Sequence, residues 1–176
     1  MKVNEYILQD RTASYSFFSK EHLVDWLLQS EQYLIRRYLR FLRKEEFYTL
    51  IKPNKLLKYY YRRAKNKLGS RLGFFIHAGN FGPGLKIYHY GSIIIHPNAR
   101  IGANCTIHGN CCIGSKGTYP DDSPIIGNQV DIGQGAQILG GITLADRIRI
   151  GAGTIVTKSV MQTDVTLLGV PGKIKK

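Results

Sequence analysis

One aliphatic residue returns at every sixth position through the second half of this chain. Ile95, Ile101, Ile107 and Ile113 hold the phase, and Ile126, Ile132, Ile138, Leu144, Ile150 and Val156 resume it after an interruption. Glycine follows the aliphatic directly at Gly102, Gly114, Gly127, Gly133 and Gly151. Four places after the aliphatic comes a second inward candidate, usually small: Ala99, Cys105, Cys111, Val130, Ala136, Ile142, Ile148 or Thr154. Neither the helical period of about 3.6 nor the strand period of about 2 produces this spacing alone. A unit so short can bury its apolar face only by stacking on its neighbours.

Hexapeptide units of this kind are the signature of a parallel β-helix. If three hexads complete one coil of a triangular prism, residues about eighteen apart stack. Ile95 then lies under Ile113, Ile126 under Leu144, Ile132 under Ile150, and Ile138 under Val156. Glycine permits the backbone conformations that tight corners demand. The general preference of parallel connections is right-handed, so the hand of this coil is taken from the resemblance given below.

The 176 residues suit one domain, or one domain with a small appendage. No run of eighteen apolar residues occurs, so no transmembrane helix is expected. The start, MKVNEYILQD, has no uninterrupted apolar segment and no obvious cleavage site, so a secretory leader is not expected. Of the three cysteines, Cys105 and Cys111 fall on inward repeat positions and Cys112 points elsewhere. Adjacent cysteines are not a metal-site spacing, and a reduced, cytoplasmic protein is the expectation.

The net charge of +13 is concentrated. Between Arg36 and Arg71 thirteen Lys and Arg stand against Glu45 and Glu46, a local net of +11. Such a patch suits polyanions such as anionic lipid or coenzyme phosphates, and peripheral contact with the inner membrane face is one expectation. A solvated helical face is the plain alternative. Helical spacing runs through Leu23, Trp26 and Leu27, then, after a break near Ser30, through Leu34, Ile35, Tyr38, Leu39 and Leu42. Ser19 is the expected cap of the first helix. Pro53 and Asn54 punctuate, and a second basic, aromatic helix is expected from Lys55 to about Leu68. Tyr59, Tyr60 and Tyr61 read as packing residues; no nucleic-acid motif accompanies them, and nucleic acid is not an expected partner. The expected division is a helical basic region over 1–70 and a β-helix over 71–176. Two breaks in phase, around GPGL at 82–85 and around SKGTYPDDSP at 115–124, are where loops leave the prism.

The titratable residues available for chemistry are five histidines and the pair Asp121 and Asp122. No nucleophile elbow, P-loop or paired-histidine metal motif occurs. His22 lies in the helical region; His77, His96 and His108 sit in Ile-His steps, where a structural role is the simpler reading. His89 differs. It follows the irregular GPGL turn, and strict counting back from Ile95 puts it at a corner that an aliphatic residue should fill.

These segments, GPGLKIYHYGSIIIHPNARIGANCTIHGNCCIG, PIIGNQVDIGQGAQILGGITLADRIRIGAGTIVTKSV and GVPGKI, resemble the hexapeptide-repeat acyltransferases. By pattern they are similar to the serine O-acetyltransferases and their shorter relatives found with polysaccharide biosynthesis. The resemblance implies a left-handed β-helix assembled as a homotrimer, with acetyl-CoA as co-substrate in the cleft between subunits and no metal. His89 matches the family's general base, which takes the proton of an acceptor hydroxyl as it attacks the thioester in a direct transfer through a tetrahedral intermediate. A neutral imidazole, with an ordinary pKa of about 6.5, suits that task. Gly135, Ala136, Gly151, Ala152 and Gly153 match small positions along which the family lays pantetheine. Lys158 and Lys173 match basic positions that meet the coenzyme phosphates.

Two departures from the resemblance bear on the acceptor. The family carries an aspartate one coil before the catalytic histidine, where this chain reads Gly73-Phe74-Phe75-Ile76. The family also places a histidine ahead of the proline in the second excursion, where this chain has Ser123. Asp121, Asp122 and Ser123 are therefore the candidate acceptor-side residues. The expected acceptor is a sugar hydroxyl of a surface-polysaccharide precursor, with serine as the alternative. More distant alternatives are a zinc enzyme of the γ-carbonic anhydrase kind, drawing on His89, His96 and His108, and a non-catalytic scaffold.

Overall fold

A computed structural model of the chain describes residues 20–117 and 122–175, together with Val3, Ile7 and Asp10. Ser19 and Asp121 lie outside the described residues. The helical region comprises α1 (Lys20–Leu27), α2 (Glu31–Glu46), a π-helical turn (Phe47–Ile51) and α3 (Lys55–Leu72). Ser30 caps α2 by accepting from the Tyr33 amide at 3.3 Å, and an Asp25–Arg36 ion pair at 2.8 Å ties α1 to it. Asn54 caps α3 in the same way, from the Leu57 amide at 3.0 Å. That helix continues past Leu68 because Gly69 fits against the Tyr38 ring and the Phe74 carbonyl; Gly73, at φ 79°, ends it. Ile35, Tyr38, Leu39 and Leu42 make the buried stripe of α2 and meet Leu68 and Leu72 of α3.

Among the described residues fourteen short strands follow, winding left-handed as a parallel β-helix with three faces. The first face holds β1 (Phe74–Phe75), β3 (Ile93–Ile95), β6 (Cys111–Gly114), β9 (Gln137–Leu139) and β12 (Ile155–Val156). The second holds β4 (Arg100–Ile101), β7 (Ile125–Ile126) and β10 (Thr143–Leu144). The third holds β2 (Lys86–Ile87), β5 (Thr106–Ile107), β8 (Asp131–Ile132), β11 (Arg149–Ile150), β13 (Thr166–Leu168) and β14 (Lys173–Ile174). All pairings are parallel except that of β13 with β14, which closes the last coil.

The four stacks expected from a spacing of eighteen are all formed: Ile95 on Ile113, Ile126 on Leu144, Ile132 on Ile150, and Ile138 on Val156. Every second inward candidate, from Ala99 to Thr154, is buried. The excursion at 115–124 lengthens one coil, so Ile101 pairs with Ile126 rather than with a residue eighteen positions on. One part of the repeat does not follow the count. Ile87, not His89, pairs with Ile107 and occupies the core column. The turn between β2 and β3 spans residues 88–92, two more than the corresponding turn at 108–110. The extra length pushes His89 out of the prism instead of into a corner.

Charge in the helical region is spread less freely than its composition suggests. Arg43 is buried and donates to Asp10, to Glu46 at 2.6 Å, and to the carbonyls of Phe81 at 2.9 Å and Gly82 at 2.6 Å. Burial alone would lower its pKa, but the two carboxylates outweigh it and raise the value. Lys65 and Arg62 share Glu45, at 2.9 and 2.7 Å, and Lys65 also donates to the Ile76 carbonyl at 2.8 Å. Four of the cations counted as a basic patch, Arg36, Arg43, Arg62 and Lys65, are thus held by carboxylates, two of them buried, and tie the helices to one another and to the base of the prism.

Candidate active site at a corner of the prism

His89 sits on the enlarged turn where the third face gives way to the first. Its side chain is 63% exposed. Tyr88 and Tyr90 flank it, both exposed. Tyr88 stacks on His108 of the next coil with ring centroids 4.6 Å apart, and Lys86 Nζ lies 4.1 Å from the centre of the same ring. His108 in turn approaches Asp131 at 3.5 Å. The helical region reaches the same turn. Glu31 accepts from the Tyr90 amide at 2.7 Å and stands 3.2 Å from His89 Nδ1, while Gln32 donates to the Tyr88 carbonyl at 3.0 Å. Glu31 carries no signal in the sequence beyond being an acid after a helix cap. It lies 58 residues from His89, and only the folded chain joins them.

The register places the small candidates above His89 on the same corner. Gly135 lies in the turn between β8 and β9, and Gly151, Ala152 and Gly153 lie between β11 and β12. Gly153 donates to the Gln134 carbonyl at 2.8 Å, and Gly135 to the Gly109 carbonyl at 3.0 Å, which stacks the turns directly. A Cβ at Gly153 would meet nothing within 4 Å, and one at Gly135 only the Gly153 backbone at 3.8 Å. Both have positive φ, 67° and 73°, a conformation that leaves the ledge bare of side chains. Ala136 differs: its side chain is inside the prism and only its backbone is at the corner. Lys158, following β12, and Lys173, on β14, are both exposed, and neither has an ion-pair partner among the described residues.

The remaining candidates lie elsewhere. His96 Nδ1 accepts from the Asn98 amide at 3.2 Å, so the Ser123 hydroxyl, 2.7 Å away, donates to the same nitrogen. Asp122 accepts from the Gly141 amide. Within one chain, therefore, Asp122 and Ser123 bond to Gly141 and His96 rather than to His89. His96 follows β3 at the corner between the first and second faces, so His89, His96 and His108 do not share one corner. Among the described residues no three His, Cys, Asp or Glu side chains gather as a metal site. His77 packs edge-on against Phe75 at 4.9 Å, and burial, then the Lys65 charge, lower its pKa. No helix among the described residues is long and apolar enough to cross a membrane.

No family model matches the chain. Curated relatives do. A serine acetyltransferase of Helicobacter pylori is 35% identical over 118 residues, covering 65% of this chain and 68% of the relative. One of Synechococcus elongatus is 35% identical over 104 residues, covering 58% of this chain and 42% of the relative. Among solved structures, the serine acetyltransferase of Neisseria gonorrhoeae superposes with a TM-score of 0.74 at 25% identity, over 99% of this chain and 66% of that one. The Brucella abortus enzyme in complex with coenzyme A gives 0.68 at 27% identity, over 98% and 64%. The chain spans about two fifths to two thirds of the length of the curated relatives named here. With a third of the aligned residues shared across most of one relative, and the coiled prism common to all of them, the chain belongs to the serine acetyltransferase family.

Proposed function

We propose that the chain is an acetyl-CoA-dependent O-acetyltransferase in which His89 is the general base and serine is the acceptor. The observation that carries this reading is the corner itself. A solvent-facing imidazole stands below stacked turns where Gly135 and Gly153 carry no side chain and a Cβ would meet nothing closer than 3.8 Å, which leaves their backbone open to an extended pantetheine arm. The acceptor hydroxyl gives its proton to the imidazole as its oxygen forms the new C–O bond to the acetyl carbon. The C–S bond breaks, and the proton then passes from the imidazolium to the departing thiolate, which leaves as the free thiol. Lys158 and Lys173 are placed in the role of phosphate partners. The relatives' names favour serine over the sugar expected from the two departures in sequence. A sugar hydroxyl remains the second reading because Tyr90, beside His89, offers exposed aromatic surface to a ring.

The working unit in this reading is a homotrimer. The outward residues of the first face run Phe75, Ile94, Cys112, Gln137 and Ile155, the first two 57% and 48% exposed and one amide among them, whereas the third face presents the more polar series Lys86, Thr106, Asp131 and Arg149. The apolar face is the one a partner subunit would cover, and His89 stands at its edge. The test is thiol release from acetyl-CoA with serine and with a panel of saccharides. Serine-dependent release that drops by about 10²-fold or more in His89→Ala is the expected result. Release that is unchanged in that variant removes the reading, and saccharide turnover well above that with serine moves it to the second acceptor.

A further inference from the structure

Two consecutive side chains at the start of α2 grip all three residues around the imidazole. Glu31 follows the capping residue Ser30, in the first helical turn, where the helix dipole favours an anion. Its Oε1 accepts from the Tyr90 amide at 2.7 Å, and its Oε2 lies 3.2 Å from His89 Nδ1. Gln32 donates to the Tyr88 carbonyl at 3.0 Å. An exposed carboxylate–imidazole pair contributes little to stability, and these two side chains are 30% and 63% exposed. The energy of the ion pair therefore does not account for the contact of Glu31 with the ring.

We infer that Glu31 is a positioning residue that fixes the tautomer of His89. An ionised carboxylate has no proton to donate. With Oε1 occupied by the Tyr90 N–H, the nitrogen facing Oε2 must be the donor, so the neutral imidazole carries its proton on Nδ1. Its lone pair is then on Nε2, which none of the described hydrogen bonds uses, and Nε2 is left to take the acceptor's proton. The helical region thereby supplies part of the reaction centre and is not only a support for it. This inference rests on the function proposed above.

Glu31→Gln is the discriminating substitution. A carboxylate accepts from both Tyr90 and His89, whereas an amide has one acceptor oxygen and one donor nitrogen. When the Gln oxygen keeps the Tyr90 N–H, its NH₂ group faces Nδ1 and demands a lone pair there. The imidazole proton moves to Nε2 and blocks the base. The expected loss in kcat is about 10²-fold, at the lower end of general-base contributions because the exposed ring can still exchange tautomers. KM for acetyl-CoA should stay within about twofold, because the ledge is untouched. The second readout needs no turnover. In the full-length protein labelled with ¹⁵N-histidine, the wild-type His89 signals should report Nδ1–H, and those of Glu31→Gln should shift toward Nε2–H. Glu31→Asp should recover the wild-type tautomer in part.

A wild-type tautomer in Glu31→Gln, or a kcat within twofold of wild type, overturns the inference. A merely structural Glu31 would lower the melting temperature and leave the tautomer in place, which also counts against it. If the tautomer shifts as expected while wild type and His89→Ala transfer acetyl equally, the proposed function falls and the hold of Glu31 on the ring stands.

Discussion

Replacing Arg43 with Met should separate the helical region from the prism. Arg43 is 2% exposed, and its carboxylate partners Asp10 and Glu46 are 5% and 1% exposed. The substitution keeps the apolar length of the side chain but takes the Arg43 cation from two buried carboxylates and its N–H donors from the carbonyls of Phe81 and Gly82. Breaking a buried pair by removing one partner costs about 3–5 kcal/mol, and an unpaired carbonyl about 1 kcal/mol or more. With two carbonyls the total is about 5–7 kcal/mol, a large part of a typical stability of about 5–15 kcal/mol. For a chain of this size it corresponds to a drop in melting temperature of about 10–28 °C. Thermal melts followed at the helical circular-dichroism minimum measure it. Arg147→Met is the control, because that residue pairs with Asp164 in solvent and should leave the midpoint essentially in place. Equal midpoints for the Arg43 and Arg147 variants would refute the reasoning.

Further outcomes follow from the same structure. Ile132→Ala, fully buried between Ile107 and Ile150, should cost about 2–5 kcal/mol in denaturant unfolding, whereas Ile125→Ala, largely exposed on the same prism, should cost little. Ile94→Glu should convert the sedimenting species to monomer if the first face is the subunit contact. Burial pushes the Cys105 thiol up to about 11 and raises Cys111 as well, so neither should react with a thiol reagent until the chain is unfolded. The pKa of His77 is depressed on folding, so its contribution to stability is present above its unfolded value of about 6.5 and is lost as pH falls toward the folded value. His77→Gln should flatten the decline in melting temperature below that pH.

The repeating part of the chain was legible because one rule, an aliphatic at every sixth place, fixes both the strand face and the partner eighteen residues away. Ile132 could be assigned to the core, and to Ile150, without any knowledge of the rest. The helix punctuation at Ser30 and Asn54 was readable for a similar reason, since capping is decided within four residues. What escaped the sequence depends on length accumulated along a turn or on distance across the fold. Two extra residues at 88–92 move Ile87 into the column and His89 out of it, and no local pattern separates that register from the strict count. The partnership of Glu31 with His89 and the burial of Arg43 against Asp10 join segments 58 and 33 residues apart. Counting charges between Arg36 and Arg71 could not reveal that Arg43, Arg62 and Lys65 are already matched.

The position of the site at the base of the coil follows from hydrogen bonding. Inside the solenoid each strand is satisfied by the coil below and the coil above, and even across the excursion at 115–124 the strands pair with the next coil. At residues 76–91 there is no complete coil below, and the backbone groups facing that side must find partners elsewhere. The helices provide them. Lys65 donates to the Ile76 carbonyl, Glu46 accepts from the Gly79 amide at 2.7 Å, Arg43 donates to the Phe81 and Gly82 carbonyls, and Gly91 donates to the Leu72 carbonyl at 3.1 Å. Glu31 and Gln32 complete the set at Tyr90 and Tyr88. An irregular turn can exist there because side chains from α2 and α3, rather than another coil, satisfy it. In the proposed reading the projecting imidazole at this end is held by the same helices that supply the backbone partners of its turn.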